Sequence, residues 1–270
     1  MNESPNHSGA FPPLEIAHKV ELLGEKKAKT DTLTLFVLAV LAGAFISMGA
    51  LFYTVVITDS DLGFGVTRLL GGLSFSLGLV LVVVAGAELF TGNNLIAMAW
   101  ASGRIGIRAV MRNWILVYLG NVVGCLGTVL LVLGSDIASL GGGAVGETAI
   151  AIAHAKMNLT SVEAFSRAIL CNVFVCLAVW LAIGAQSVSG KILAIVFPVS
   201  AFVAIGLEHS IANWFFLPFG FALDGHSEVS IRDFFINMLL VSAGNIVGGT
   251  LLVAGVYWLA YLRGEHQHKD

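Results

Sequence analysis

Few side chains in this sequence could do chemistry, and one of them stands where it costs most. His209 lies in Gly206-Leu207-Glu208-His209-Ser210-Ile211-Ala212-Asn213, a polar interruption of an apolar interval running from Ile192 to Leu223. An ionisable ring inside an apolar run is expensive to keep, which makes it a candidate pathway group able to move a proton or hydrogen-bond a small solute. Haem ligation is the competing chemistry. It needs a second axial ligand, and His7, His18, His154, His226, His266 and His268 all read as termini or loops, so a cytochrome is disfavoured and neither metal nor cofactor is expected.

The other polar candidates surround a second interruption. Gly86-Ala87-Glu88-Leu89-Phe90-Thr91-Gly92-Asn93-Asn94 closes an uncharged run of nineteen residues, Leu69 to Ala87. Gly92 relaxes the backbone, Asn93 and Asn94 compete with helical hydrogen bonds, and Thr91 offers a hydroxyl to freed groups. Glu88 and Glu208 read as acceptors for that freed backbone, more scaffold than pathway, with a place near the headgroups as the alternative. Lys156, in Gly146 to Phe165, reads by itself as an ordinary loop lysine. Cys125, Cys171 and Cys176 have no CxxC spacing and read as small buried apolar residues.

What must position these residues follows from composition. A chain of 270 residues that is 57% hydrophobic and 11% charged, with mean hydropathy +0.89, cannot turn that much apolar surface inward in a soluble fold. It belongs in a bilayer. Six uncharged stretches are long enough to cross one: Leu33 to Ile57, Leu69 to Ala87, Asn113 to Ser135, Ala168 to Gly190, Ile192 onward, and Phe234 to Leu262. No removable signal peptide is expected before the first. A net charge of -3 and a pI near 6.1 offer nothing basic enough for nucleic acid. With both termini inside, ten Lys and Arg residues fall on the cytoplasmic side against Arg68, Lys156, Arg167 and Arg232 outside, so the positive-inside rule favours cytoplasmic N and C termini.

Two of the intervals are too long for one straight span. Leu69 to Gly103 would reach about 52 Å as a single helix at roughly 1.5 Å per residue, well beyond the hydrocarbon. A break is expected at Leu89 to Asn94, and another in the middle of Ile192 to Leu223. The two intervals superimpose in sequence: Gly86, Glu88 and Asn93 fall on Gly206, Glu208 and Asn213 at an offset of 120. Gly120-Asn121-Val122-Val123-Gly124 likewise falls on Gly244-Asn245-Ile246-Val247-Gly248 at 124. An internal duplication with three spans in each half must give inverted repeats. Helices broken at equivalent places then point to a permeation site near the midplane. The expected fold is therefore an all-α membrane protein of six transmembrane helices, built as two inverted three-helix repeats with broken second and fifth helices.

Ala85-Gly86-Ala87-Glu88-Leu89-Phe90-Thr91-Gly92 and Ala168 to Ala178 (AILCNVFVCLA) resemble signatures of the formate/nitrite transporter family, and Gly206 to Asn213 resembles its central histidine region. The similarity extends from about Leu14 to Arg263 and is closest to the formate channels. The resemblance implies an aquaporin-like fold assembled as a homopentamer with a pore in each protomer. It implies Phe75 and Phe202 at an outer constriction, Leu79 and Val175 at an inner one, and Asn172 beside the pore. Leu89, Phe90 and Thr91 would form the loop of the broken second span. His209, Thr91 and Asn245 would be the polar set facing the substrate, Lys156 the entrance lysine, and Glu208 a structural carboxylate near it. Trp214 departs from the family's common methionine, the Phe221 to Asp233 connection is short, and no NPA motif supports aquaporin function.

The function so implied is a bidirectional, pH-dependent channel for small monovalent anions, formate first, with formate/proton symport through His209 as its uptake mode. Nitrite and hydrosulfide are the alternatives within the family. A membrane anchor subunit of a redox complex is the alternative of a different class. The expected location is the bacterial cytoplasmic (inner) membrane. The expected division is a cytoplasmic N-terminal segment, 1–32, a transmembrane channel domain, 33–262, and a cytoplasmic tail, 263–270. In the first of these, Pro13 can open an amphipathic helix with Ile16, Ala17, Val20 and Leu23 on one face and Lys26, Lys27 and Lys29 following.

Overall fold

A computed structural model describes residues 9–225 and 230–266; the first eight residues and the last four of the expected tail lie outside these. Helix α1 spans Pro13–Lys29, α2 Thr32–Ile57, and α3 Phe64–Ala85. A 3-10 segment, Gly92–Ile96, leads into α4, Ala97–Ala101, followed by α5, Ile107–Gly134. The second half repeats the pattern with α7 Ser161–Gly184, α8 Val188–Ile205, α9 Ser210–Leu223 and α10 Ile231–Val247, which continues through π-helical turns to Leu262. Among the described residues, six helices are long and apolar enough to cross a membrane.

The observed helices overrun the uncharged stretches at their N-terminal ends. α3 starts at Phe64 and includes Arg68, α5 starts at Ile107 and includes Arg108 and Arg112, and α7 starts at Ser161 and includes Glu163 and Arg167. Charged residues are tolerated in a terminal turn, where they reach water or cap backbone. α7 ends at Gly184, short of the expected Gly190, because the Ser187 side chain accepts the Gly190 N–H and caps α8. The expected loop around Lys156 is corrected as well: Ala144–Met157 forms helix α6, with Lys156 in its last turn.

The repeated Gly-Asn-x-Val-Gly motif explains the close helix crossings. A Cβ at Gly124 would run into the Val40 carbonyl of α2, and one at Gly248 into the Ile169 carbonyl of α7. Small residues four apart let backbones approach in lipid, where packing drives helix association. Val40 and Ile169 are themselves equivalent at an offset of 129, the register of the first helix of each repeat. The halves also meet at equivalent residues, since the Tyr118 hydroxyl lies 2.9 Å from Ser242 Oγ and accepts the Trp214 Nε1–H.

Helix α1 is amphipathic as expected, but its apolar face is covered by protein rather than lipid. Ile16, Ala17 and Val20 pack with Leu95, Met98 and Trp180. Its polar side is tied by Arg104, whose guanidinium pairs with Glu21 at 2.9 Å and Glu25 at 3.4 Å. Arg104 is held above the ordinary arginine range, chiefly by its hydrogen bond to Glu21.

Candidate solute pathway

Both long intervals break, and they break alike. α3 stops at Ala85 because Gly86 turns left-handed at φ 86°, and α8 stops at Ile205 because Gly206 does so at φ 85°. Five non-helical residues, 87–91, follow Gly86, and three, 207–209, follow Gly206. The first rupture thus begins three residues before the expected Leu89, and its second arm re-forms at Gly92.

Broken backbone at membrane depth must find partners, and one asparagine per half supplies them. Asn121 accepts the Phe90 N–H and donates to the Ala39 and Glu88 carbonyls. Asn245 accepts the Ser210 N–H and donates to the Ala168 and Glu208 carbonyls. Each asparagine therefore ties a rupture to its neighbouring helix. Both amide protons of Asn245 thus go to backbone carbonyls, and among the described residues no hydrogen bond joins Asn245 to His209.

A lysine, a glutamate and an asparagine complete each mooring. Lys27 Nζ donates to Glu88 at 2.9 Å and to Asn93 Oδ1 at 2.8 Å, while Asn93 Nδ2 donates to Glu88 at 2.7 Å. On the other side Lys156 Nζ donates to Glu208 at 3.0 Å and Asn213 Nδ2 donates to Glu208 at 2.7 Å. Both carboxylates are paired with side chains, where the sequence reading has them accept from freed backbone. The Asn213 and Asn237 carbonyl oxygens are buried without a donor on the Lys156 side, where Lys156 makes one bond to Lys27's two.

Between the ruptures His209 meets Thr91. His209 caps α9: its Nδ1 accepts the Ala212 N–H at 3.1 Å. A neutral ring in this pose carries its proton on Nε2, which lies 3.1 Å from Thr91 Oγ1. Phe202 lies parallel to the imidazole at 6.1 Å between centroids. Thr91 and His209 are both buried. Asn172 holds the same loop, donating to the carbonyls of Thr91 and Asn245 and to Asn94 Oδ1.

Two cavities lie against the two ruptures, one against each, and His209 lines one of them. One, of about 170 Å³, is lined by Phe75, Phe202, His209 and Lys156. The other, of about 370 Å³, is lined by Leu79, Leu89 and Lys27, with α1 forming one wall. Phe75 and Leu79 lie one turn apart on α3, each lining one of the two cavities. Val175, implied at the inner constriction, and Phe90, implied in the loop, line neither cavity. Val175 shares one buried cluster with Phe75, Leu79, Leu89 and Phe202, and Phe90 turns its ring onto Tyr118 and Trp114.

Three cations of this site were missed in the sequence. Lys27 could have been found through the 129-residue offset, which places it on Lys156. Arg68 donates from Nε and Nη2 to the Ala204 and Val203 carbonyls, and Arg167 from Nη1 to the Gly206 carbonyl. Neither belongs to a repeated motif.

The chain matches the formate/nitrite transporter family over residues 14–259. It is a member of that family. It is 40% identical to the formate channel FocA of Escherichia coli (strain K12), covering 95% of this chain and 96% of the relative. A solved pentameric formate channel with formate bound is similar at a TM-score of 0.79 and 40% identity, over 86% of this chain and 98% of the other. An FNT family ion channel is similar at 0.83 and 28% identity, over 91% and 98%. Family membership makes this a multi-pass membrane transporter and not an enzyme, which answers the redox-subunit alternative.

Proposed function

We propose that the protein is a channel for small weak-acid monoanions, formate first, working as a homopentamer with one passage per protomer. The observation that carries this reading is the His209–Thr91 contact, set between two matched ruptures and flanked by Phe75, Phe202 and Leu79. A bare carboxylate entering so apolar a gap meets an effective penalty of several kcal/mol. Neutral formic acid, or an anion taking hydrogen bonds from His209 Nε2–H and the Thr91 hydroxyl, crosses more easily. Lys156, paired with Glu208, holds positive charge at one mouth, and Lys27, paired with Glu88, holds it at the other. That the relative FocA is a formate channel, and that a similar solved channel holds formate, supports formate as the first substrate, ahead of nitrite and hydrosulfide.

The location follows the bias of Lys and Arg: the bacterial cytoplasmic membrane, with α1 and the C terminus inside and Lys156 outside. Residues 33–262 make the transmembrane channel domain, and α1 forms part of the inner mouth. Proton-coupled uptake adds one requirement. To become imidazolium, His209 must release the Ala212 N–H, so charging the ring loosens the first turn of α9.

Proteoliposome uptake of formate, nitrite and hydrosulfide in parallel tests the substrate class; wild-type protein that accelerates none of them overturns it. His209→Asn keeps an acceptor for the Ala212 N–H but removes the titrating ring. It is expected to fold as wild type and, lacking the Nε2–H donor, to keep a reduced downhill formate flux at neutral pH. Its uptake driven by an acid outside should fall by about 100-fold, whereas unchanged acid-driven uptake would refute the proton role.

A further inference from the structure

The two ends of the passage are equivalent in fold but not in cations. At the Lys156 end, Arg68 and Arg167 converge on the terminal carbonyls of α8, and both line the 170 Å³ cavity together with Lys156 and His209. The equivalent positions in the other half are Val188 for Arg68, at 120, and Leu38 for Arg167, at 129. α3 therefore ends at Gly86 by the same left-handed turn with no guanidinium bonded to its carbonyls among the described residues. A helix end that is stable without arginines in one repeat does not require them in the other.

The two arginines differ in what they have left to offer. Arg68 engages three groups, Ala204 O, Val203 O and, at 3.4 Å, the Tyr53 hydroxyl. Arg167 makes one long bond of 3.4 Å to Gly206 O. The carboxylate lining this cavity, Glu208, is already bonded to Lys156 and Asn213, so the excess of positive charge faces whatever enters. A guanidinium is planar and offers paired N–H groups that match two oxygens of one anion, which a lysine ammonium does not.

We propose that Arg167, backed by Arg68, forms an anteroom that selects planar oxyanions, carboxylate and nitrite, over the single-atom acceptor hydrosulfide before they reach His209. The anteroom rests on the anion-channel reading and adds a sieve to it at one mouth only. Arg68 is a positioning residue, neutralising the carbonyl end of α8; Arg167 is the residue that touches the anion.

The test compares wild type, Arg167→Leu, which copies the residue of the other repeat, and Arg167→Lys, which keeps charge without the fork. Uptake of formate, nitrite and hydrosulfide is measured in proteoliposomes over a concentration series, against protein-free vesicles. Arg167→Leu is expected to raise the half-saturating formate and nitrite concentrations about tenfold while moving that of hydrosulfide less than about twofold. Arg167→Lys should restore formate only in part. Equal losses for all three solutes, or full rescue by lysine, would overturn the oxyanion sieve and leave the anion channel intact. Unchanged formate saturation in the leucine variant would overturn it as well. Wild type inert to all three would instead sink the channel reading and the sieve with it.

Discussion

At His209 the decisive detail is which ring nitrogen is committed. Nδ1 is held by the start of α9, so only Nε2 faces the passage, and Thr91 is its partner. Thr91→Val keeps the shape but leaves a buried N–H without an acceptor, at a cost of about 1–3 kcal/mol. We expect formate flux to fall by about tenfold, a transition-state loss of roughly 1.4 kcal/mol. Thermal unfolding in detergent should move by only a few degrees, and Thr91→Ser should recover both. The candidacy of His209 was legible from an imidazole in an apolar interval. Its tautomer was not, because the Ala212 N–H becomes its partner only once residue 206 has ended the preceding helix.

At the scale of elements, the ruptures depend on two left-handed glycines in different surroundings. A Cβ at Gly86 would meet nothing within 4 Å, whereas one at Gly206 would lie 2.8 Å from Arg68 Nη2. Alanine at either site bears the left-handed penalty of about 1–2 kcal/mol, and at residue 206 it also displaces a guanidinium from its carbonyls. Gly206→Ala should therefore lower the unfolding temperature more than Gly86→Ala. The start of the first break was misplaced in the sequence because α3 also carries Gly71, Gly72 and Gly78 in regular helix, so the residue type alone does not mark the end. Helix α6 escaped notice because a fourteen-residue segment containing Glu147, His154 and Lys156 is too short and too polar to read as a span.

Helix α1 has a pH window of its own. Glu25 is held below the ordinary glutamate value of 4.5, first by its hydrogen bond and charge interaction with Lys29 and then by Arg104. A lowered carboxyl contributes its stabilisation in full above 4.5 and loses it as pH falls through the folded value. Hydrogen exchange in α1 should thus be flat with pH above that point, once corrected for intrinsic rates, and should rise below it. Glu25→Gln should remove the acid-induced step.

Across the whole molecule, duplication was the most legible feature and its exceptions the least. Offsets of 120 and 124 connect the ruptures and the glycine-asparagine motifs, and from them inverted repeats follow. The third offset, 129, belongs to α2 and α7, whose matching residues touch backbone carbonyls and need little side-chain identity. Without it Lys27 could not be aligned with Lys156, nor Arg167 contrasted with Leu38. Those contrasts separate what the fold demands from what one mouth alone possesses.

Because Asn172 of the second half donates to the Thr91 carbonyl and Asn94 of the first, and Tyr118 of the first joins Ser242 and Trp214 of the second, neither half can tilt past the other without tearing hydrogen bonds that cross between them. Such a corridor has no stroke to complete between one solute and the next. Throughput should accordingly climb with warming about as gently as diffusion in water does, and a steep, carrier-like temperature coefficient in single-substrate flux would show that the moorings give way on every cycle.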